Sequence, residues 1–69
     1  MSTEAIQQAF GSHAQGNHKL VLVAIAYRLP STSTIQEIQR LTGLSWLTVD
    51  CAVKALRRSG DLDRIGGAV

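Results

Sequence analysis

Length, composition and charge exclude several classes of protein for this chain. It has 69 residues, 45% of them apolar and 17% charged, with a formal net charge of +2 and a single cysteine, so we expect one small globular domain, not a disordered or disulfide-linked chain. Its longest apolar run, 20–27, is too short to span a bilayer, and a lone thiol suits the reducing cytoplasm, where we expect the protein to lie.

The first sixteen residues are expected to form a segment apart from the main domain, which we place at 17–69. Within this segment, Ile6, Ala9 and Phe10 fall on one face of a short helix. Gly11 is positioned to end that helix. Phe10 is one of only three aromatic residues, and we expect it to fold back onto the core.

The segment 18–29 is the most ambiguous in the chain, because its apolar run also suits a buried strand. Asn17 is a good N-cap, and Pro30 disfavours the helical conformation of the residue before it. These signals and the segment length favour a helix. Apolar residues lie nearly all round it, so the helix is expected at the centre of the fold or against a partner. A homodimer formed through this surface, or through the N-terminal segment, is one such partner.

The next helix is predicted by a capping box. Thr34 is followed three residues later by Glu37, so each side chain can bond to the other's backbone amide. The expected inner stripe is Ile35, Ile38 and Leu41. Gly43 then ends the helix in a backbone conformation that other residues enter at a cost.

A turn and a longer helix follow. Leu44 is expected to point inward and Ser45 to cap a helix that runs from about Trp46 to Ser59 and ends at Gly60. Four apolar residues fall at i, i+3, i+4 and i+7 of this helix and predict its buried face: Val49, Ala52, Val53 and Leu56.

The end of the chain reads as a short strand. Leu62 and Ile65 lie among charged residues, and Gly66–Gly67 resembles the start of a turn. A strand without a partner is not stable alone, so we expect either a fragment of a hairpin or a rudimentary one.

These elements follow the pattern of a known family. The matching stretches are Lys19–Leu29, the IQEIQRLTG segment at 35–43, the Gly43-Leu44-Ser45 turn, Thr48-Val49, the LRRSGDL segment at 56–62, and Arg64–Gly67. Together they resemble a winged helix-turn-helix domain over about 50 of the 69 residues. It looks especially like the domains of phage and plasmid replication initiators and of small bacterial transcription regulators.

The resemblance implies a mainly α fold, with a three-helix helix-turn-helix core and a short β-wing. It also implies sequence-specific binding of double-stranded DNA by a recognition helix at about 45–59 in the major groove. The residues expected near base edges are Ser45, Trp46, Leu47, Asp50 and Lys54. Thr48 and the helix N-terminus would hold a phosphate. Further phosphate contacts are expected from Lys54, Arg57 and Arg58, with Arg40 and Arg64 at the edges.

The outer face of this helix departs from the family pattern, which leaves several interpretations open. Trp46 and Leu47 stand where polar residues are usual, and they suit thymine contact, a protein interface or packing within the chain. Asp50 suits either cytosine or an ion pair with Lys54. Gln39 replaces a small residue and implies wider packing or an outward side chain.

The remaining reactive residues predict neither catalysis nor a cofactor. Cys51 has no neighbour that would activate its thiol. His13 and His18 lack further ligands at metal spacing, and no nucleophile and base are paired. We therefore expect a DNA-binding protein and not an enzyme. The alternative is a protein-interaction module that docks a partner through Trp46 and Leu47.

Overall fold

The computed structural model describes residues 3–67 and 69, and it is built mainly of helices. The helices are α1 (Thr3–Phe10), α2 (Asn17–Arg28), α3 (Ile35–Thr42), α4 (Trp46–Ser59) and α5 (Asp61–Arg64). The part of the chain described contains no β-strand. Within the same residues, every helix is too short or too polar to cross a membrane.

Helix α2 lies at the centre, in contact with α1, α3 and α4. Its core side carries Leu22 and Ile25, which are among the largest fully buried side chains. The helical interpretation of this ambiguous segment is therefore confirmed. Its N-cap is Gly16 and not Asn17, which is already helical, and no side chain caps the helix. The Gly16 carbonyl instead accepts from the Leu20 amide at 3.1 Å, and a glycine readily takes the required φ of 58°.

Helix α1 confirms the short N-terminal helix but not its expected packing. Ala5 and Ala9 are buried, and their small side chains let α1 lie close against α2. Phe10 is 60% exposed, so the prediction that it folds onto the core is wrong. Phe10 follows Ala9 directly, and one residue rotates a helical side chain by about 100°, which takes Phe10 away from the contact.

Helix α3 begins with the predicted capping box. The Thr34 amide donates to Glu37 Oε1 at 3.0 Å, and the Glu37 amide donates to Thr34 Oγ1 at 3.2 Å. Glu37 also forms an ion pair with Arg28 and so connects α3 to the end of α2. Ile38 is fully buried as expected, but Leu41 is 48% exposed and does not belong to an inner stripe.

The predicted strand at the chain end is wrong, because these residues form α5. Gly60 ends α4 with a φ of 83° and is at the same time the N-cap of α5. Leu62 and Ile65 are both buried against the core. Residues three apart share a face of a helix but lie on opposite faces of a strand, so burial of both side chains requires the helical turn. The β-wing is accordingly not seen in residues 3–67 and 69.

Candidate nucleic-acid interface

The turn between α3 and α4 is fixed by its own backbone and by one threonine. Gly43 adopts a φ of 74°, and its amide donates to the Gln39 carbonyl at 2.8 Å. Thr42 Oγ1 donates to the Ile38 carbonyl at 2.7 Å and accepts from the Leu44 amide at 3.3 Å. Leu44 packs against the core as predicted. These contacts set the angle at which α4 leaves α3.

Ser45 caps α4 as predicted. Its Oγ accepts from the Thr48 amide at 3.2 Å and lies 2.8 Å from Thr48 Oγ1. The first amides of a helix, here those of Trp46 and Leu47, have no carbonyl acceptor within the helix. A helix start of this kind attracts an anion such as a phosphate oxygen.

The two sides of α4 differ sharply in exposure. Its four predicted core residues are all buried: Val49, Ala52, Val53 and Leu56. Opposite them runs a row of exposed residues at i, i+4, i+7 and i+11, which we call the outer stripe: Leu47, Cys51, Lys54 and Arg58. The helix is therefore anchored by one side and presents the other to solvent.

Trp46 and Leu47 are exposed at the start of this helix. Their relative exposures are 53% and 66%, respectively. The interpretation that they cover a gap in the core is therefore wrong, whereas contact with DNA or with a protein stays open. Exposed side chains of this size, next to each other, are frequent at binding surfaces.

The cations of α4 differ in how they are held. Lys54 Nζ lies 3.0 Å from Asp50 Oδ2, as predicted for the i,i+4 pair. The lysine side chain is 67% exposed, so this pair is weak and a phosphate can compete for it. Arg57 Nη2 donates to the Val69 carbonyl at 2.9 Å. Arg58 is exposed on the outer stripe.

Arg64 belongs to a polar cluster at the junction of α4 and α5. Its Nη1 lies 3.3 Å from Oδ1 of Asp61, whose side chain is only 8% exposed. Ser59 Oγ donates to Asp61 Oδ2 at 2.7 Å. Sequence reasoning missed Ser59 and Asp61, although a Ser-Gly-Asp sequence at a helix end is a signal for such side-chain capping.

Arg40 lies on the outer side of α3, apart from the ion pairs of α2 and α5. It lines a shallow groove beside the turn, together with Gln36, Gln39, Gly43 and Leu44. Gln39 is half-buried there. The groove is next to the start of α4, so Arg40 borders the surface on which the predicted contacts lie.

Residues 3–67 and 69 offer little support for a metal site or for a reactive cysteine. They contain no group of three or more His, Cys, Asp or Glu side chains placed to hold a metal ion. Cys51 is exposed and free. Comparisons with protein-family models, with curated proteins and with solved structures each give no match to this chain.

Proposed function

We propose that the chain binds double-stranded DNA by inserting α4 into the major groove, as part of a transcription regulator or a replication initiator. In this proposal α2, α3 and α4, which all contact one another, act as a helix-turn-helix core. The observation that carries the proposal is the combination of a fixed, capped turn and a helix whose outer stripe is exposed along its length.

The charges and polarity of its side chains assign different DNA contacts to different parts of α4. Lys54 and Arg58 are exposed on the outer stripe and are assigned to phosphate contacts. Arg40, which is exposed and lines the groove at the turn before α4, is assigned the same role. Arg57 and Arg64 are bound to Val69 and Asp61 and are assigned a smaller part. The start of α4 supplies the uncharged contacts: the Ser45 and Thr48 hydroxyls for phosphate, and Trp46 and Leu47 for thymine methyl groups.

The first experiment is an NMR titration of the chain with a random-sequence duplex at low and high salt. Amide shifts are expected at 45–58 and near Arg40, and they should weaken steeply as salt is added. Unchanged spectra at low salt would contradict the proposal. Shifts confined to α1 and α2 would mean that DNA binds, but not through α4.

Charge-removing variants test the assignment residue by residue. Lys54→Ala and Arg58→Ala should each reduce the slope of log K against log salt by about 1, because each removes one phosphate contact. Lys19→Ala, which removes the same charge from α2, is the matched control and should leave the slope unchanged. If the double variant bound DNA as tightly as the parent chain, α4 would not be the groove-facing helix.

A second candidate function is docking to another protein through Trp46 and Leu47. The specific observation in its favour is that these two adjacent side chains are more than half exposed. In that case Trp46→Ala should abolish partner binding, and added salt should have little effect. Under the DNA proposal, Trp46→Ala changes which sequences are preferred and keeps the salt dependence.

A further inference from the structure

A second apolar surface lies away from the outer stripe of α4. It is a groove formed by α2 and the end of α3, which we call the α2 face, lined by Leu20, Val23, Ala24, Tyr27, Leu41 and Thr42. Leu20, Tyr27 and Leu41 are 43%, 52% and 48% exposed. Three large apolar side chains grouped at one groove are more than the scattered exposure expected of a free surface.

The α2 face is on the side of α2 opposite Leu22 and Ile25, and Ala24 at its base is itself part of the core. Leu20, Val23 and Tyr27 follow one another at i, i+3 and i+7, whereas Leu22 and Ile25 point into the core. No charged residue is among those that line the groove in the described part of the chain. The sequence thus provides α2 with a second apolar stripe that the other described helices leave partly uncovered.

We propose that a second copy of this chain covers the α2 face, with the two α2 helices antiparallel about a two-fold axis. Along α2 the stripe reads large, small, small, large: Leu20, Val23, Ala24, Tyr27. This order is its own reverse, as a two-fold interface requires. Leu20 then packs against the second copy's Tyr27. Val23 lies near the axis beside Ala24, which is only 7% exposed, and these small side chains let the helices approach to about 8–10 Å.

Charge also favours a second copy over a charged partner. Lys19 Nζ donates to the Phe10 carbonyl of its own chain at 2.8 Å, and Arg28 is paired with Glu37. The cations that flank the stripe on α2 are therefore already bound when two copies meet. An uncharged surface pairs with itself without opposing like charges, whereas an acidic partner would gain little from it.

The available area indicates a weak dimer. A standard interface buries about 800 Å² on each partner, which is about a fifth of the 4185 Å² surface of this chain. The α2 face has only a few half-exposed side chains, so the area that it can bury is smaller than that of a standard interface. We expect a dissociation constant of about 10–100 μM.

Sedimentation of the full chain over a range of concentrations tests the proposal. The average mass should rise toward that of two chains as the concentration passes about 10–100 μM. Leu20→Glu should raise the dissociation constant at least about tenfold, because it places two carboxylates in the interface. Leu47→Glu makes the same change on α4 and is the matched control, expected to dimerise normally; circular dichroism checks that both variants are folded.

Two outcomes of that experiment would overturn the proposal. One is a single-chain mass at every concentration, and the other is dissociation by Leu47→Glu but not by Leu20→Glu. Neither readout involves DNA, so failure of the dimer proposal would leave the proposed DNA binding untouched. Failure of DNA binding would likewise leave the dimer proposal untouched.

Cysteine cross-linking tests the antiparallel arrangement. In a Cys51→Ser background, Val23→Cys places a thiol near the two-fold axis, where two such residues can meet at disulfide distance. Mild oxidation should then link two chains through residue 23. Gln36→Cys, exposed on α3 outside the α2 face, should not cross-link at the same rate. Equal cross-linking of both variants would contradict the two-fold geometry.

Discussion

Glu37 is the residue at which the cap of α3 and its attachment to α2 meet. Its carboxylate accepts from the Thr34 amide at 3.0 Å and pairs with Arg28. The hydrogen bond from the Thr34 backbone, together with that from the Thr34 side chain, holds the pKa of Glu37 below its ordinary value of 4.5, and Arg28 and Arg40 lower it further. The ionised form is thus favoured by folding.

Glu37 should therefore make stability depend on pH in a defined window. A lowered folded-state pKa gives a contribution that is present above pH 4.5 and is lost as the pH falls through the folded-state value. Glu37→Gln should flatten this part of the profile and lower the melting temperature at neutral pH. Thermal unfolding of both chains between neutral and acidic pH measures the difference; parallel profiles would contradict the assignment.

Asp61 provides a second prediction for a single residue. Its buried carboxylate accepts from Ser59 and Arg64, so Asp61→Ala removes both hydrogen bonds and leaves the Ser59 hydroxyl only the Leu56 carbonyl, at 3.1 Å, as an acceptor. We expect the free energy of unfolding to fall by about 1–3 kcal/mol. Asp63→Ala removes an exposed acid from the same turn and should cost less than about 0.5 kcal/mol. Urea denaturation measures the free energy of unfolding of both variants. Equal losses would mean that the charge of the turn, and not the hydrogen bonds of Asp61, causes the effect.

At the scale of elements, Gly60 joins two helices that leave no linker between them. Its φ of 83° ends α4 and starts α5 in one residue. A Cβ at this position would meet nothing within 4 Å, so any penalty comes from the backbone conformation and not from a clash. Gly60→Ala should therefore lower the free energy of unfolding by about 1–2 kcal/mol. Gly60→Asn, which tolerates this conformation better, should lose less; the opposite order in urea denaturation would contradict the argument.

The elements differ in how far the sequence determined them. The capping box of α3 and the inner stripe of α4 were predicted correctly because their signals are local and agree with the packing. The prediction of a strand at the chain end is wrong, because the charged residues around Leu62 and Ile65 mimic the alternation of a strand. The spacing of Leu62 and Ile65 already favoured a helix, since residues three apart cannot share one face of a strand.

The candidate site was predictable only in part, and the reason again lies in particular residues. The pairing of Asp50 with Lys54 follows from their i,i+4 spacing. Trp46 is 53% exposed, although its spacing from Val49 and Val53 places it beside the buried face of α4. The contact of Arg57 with Val69 is between residues twelve apart in the chain. Such contacts depend on how α4, α5 and the chain end pack together, which no local pattern encodes.

At the scale of the whole molecule, the segment of α3, α4 and the turn between them is not expected to fold alone. Helix α2 contributes Leu22 and Ile25 and contacts α1, α3 and α4. A peptide of residues 34–59 loses that support, and helices of its length are marginal in water by themselves. We expect it to give a largely disordered circular dichroism spectrum, whereas the full chain is helical. A helical peptide with a cooperative thermal transition would contradict this.

The central position of α2 has a consequence for measuring stability. The core side of α2 packs against α1, α3 and α4, so we expect the amides of its middle turn to exchange only when the entire chain opens. Deuterium uptake at Leu22 and Ile25 should then follow the global unfolding equilibrium, while the ends of α1 exchange through local fraying. A few slow amides would thus report the stability of the native protein without any denaturant.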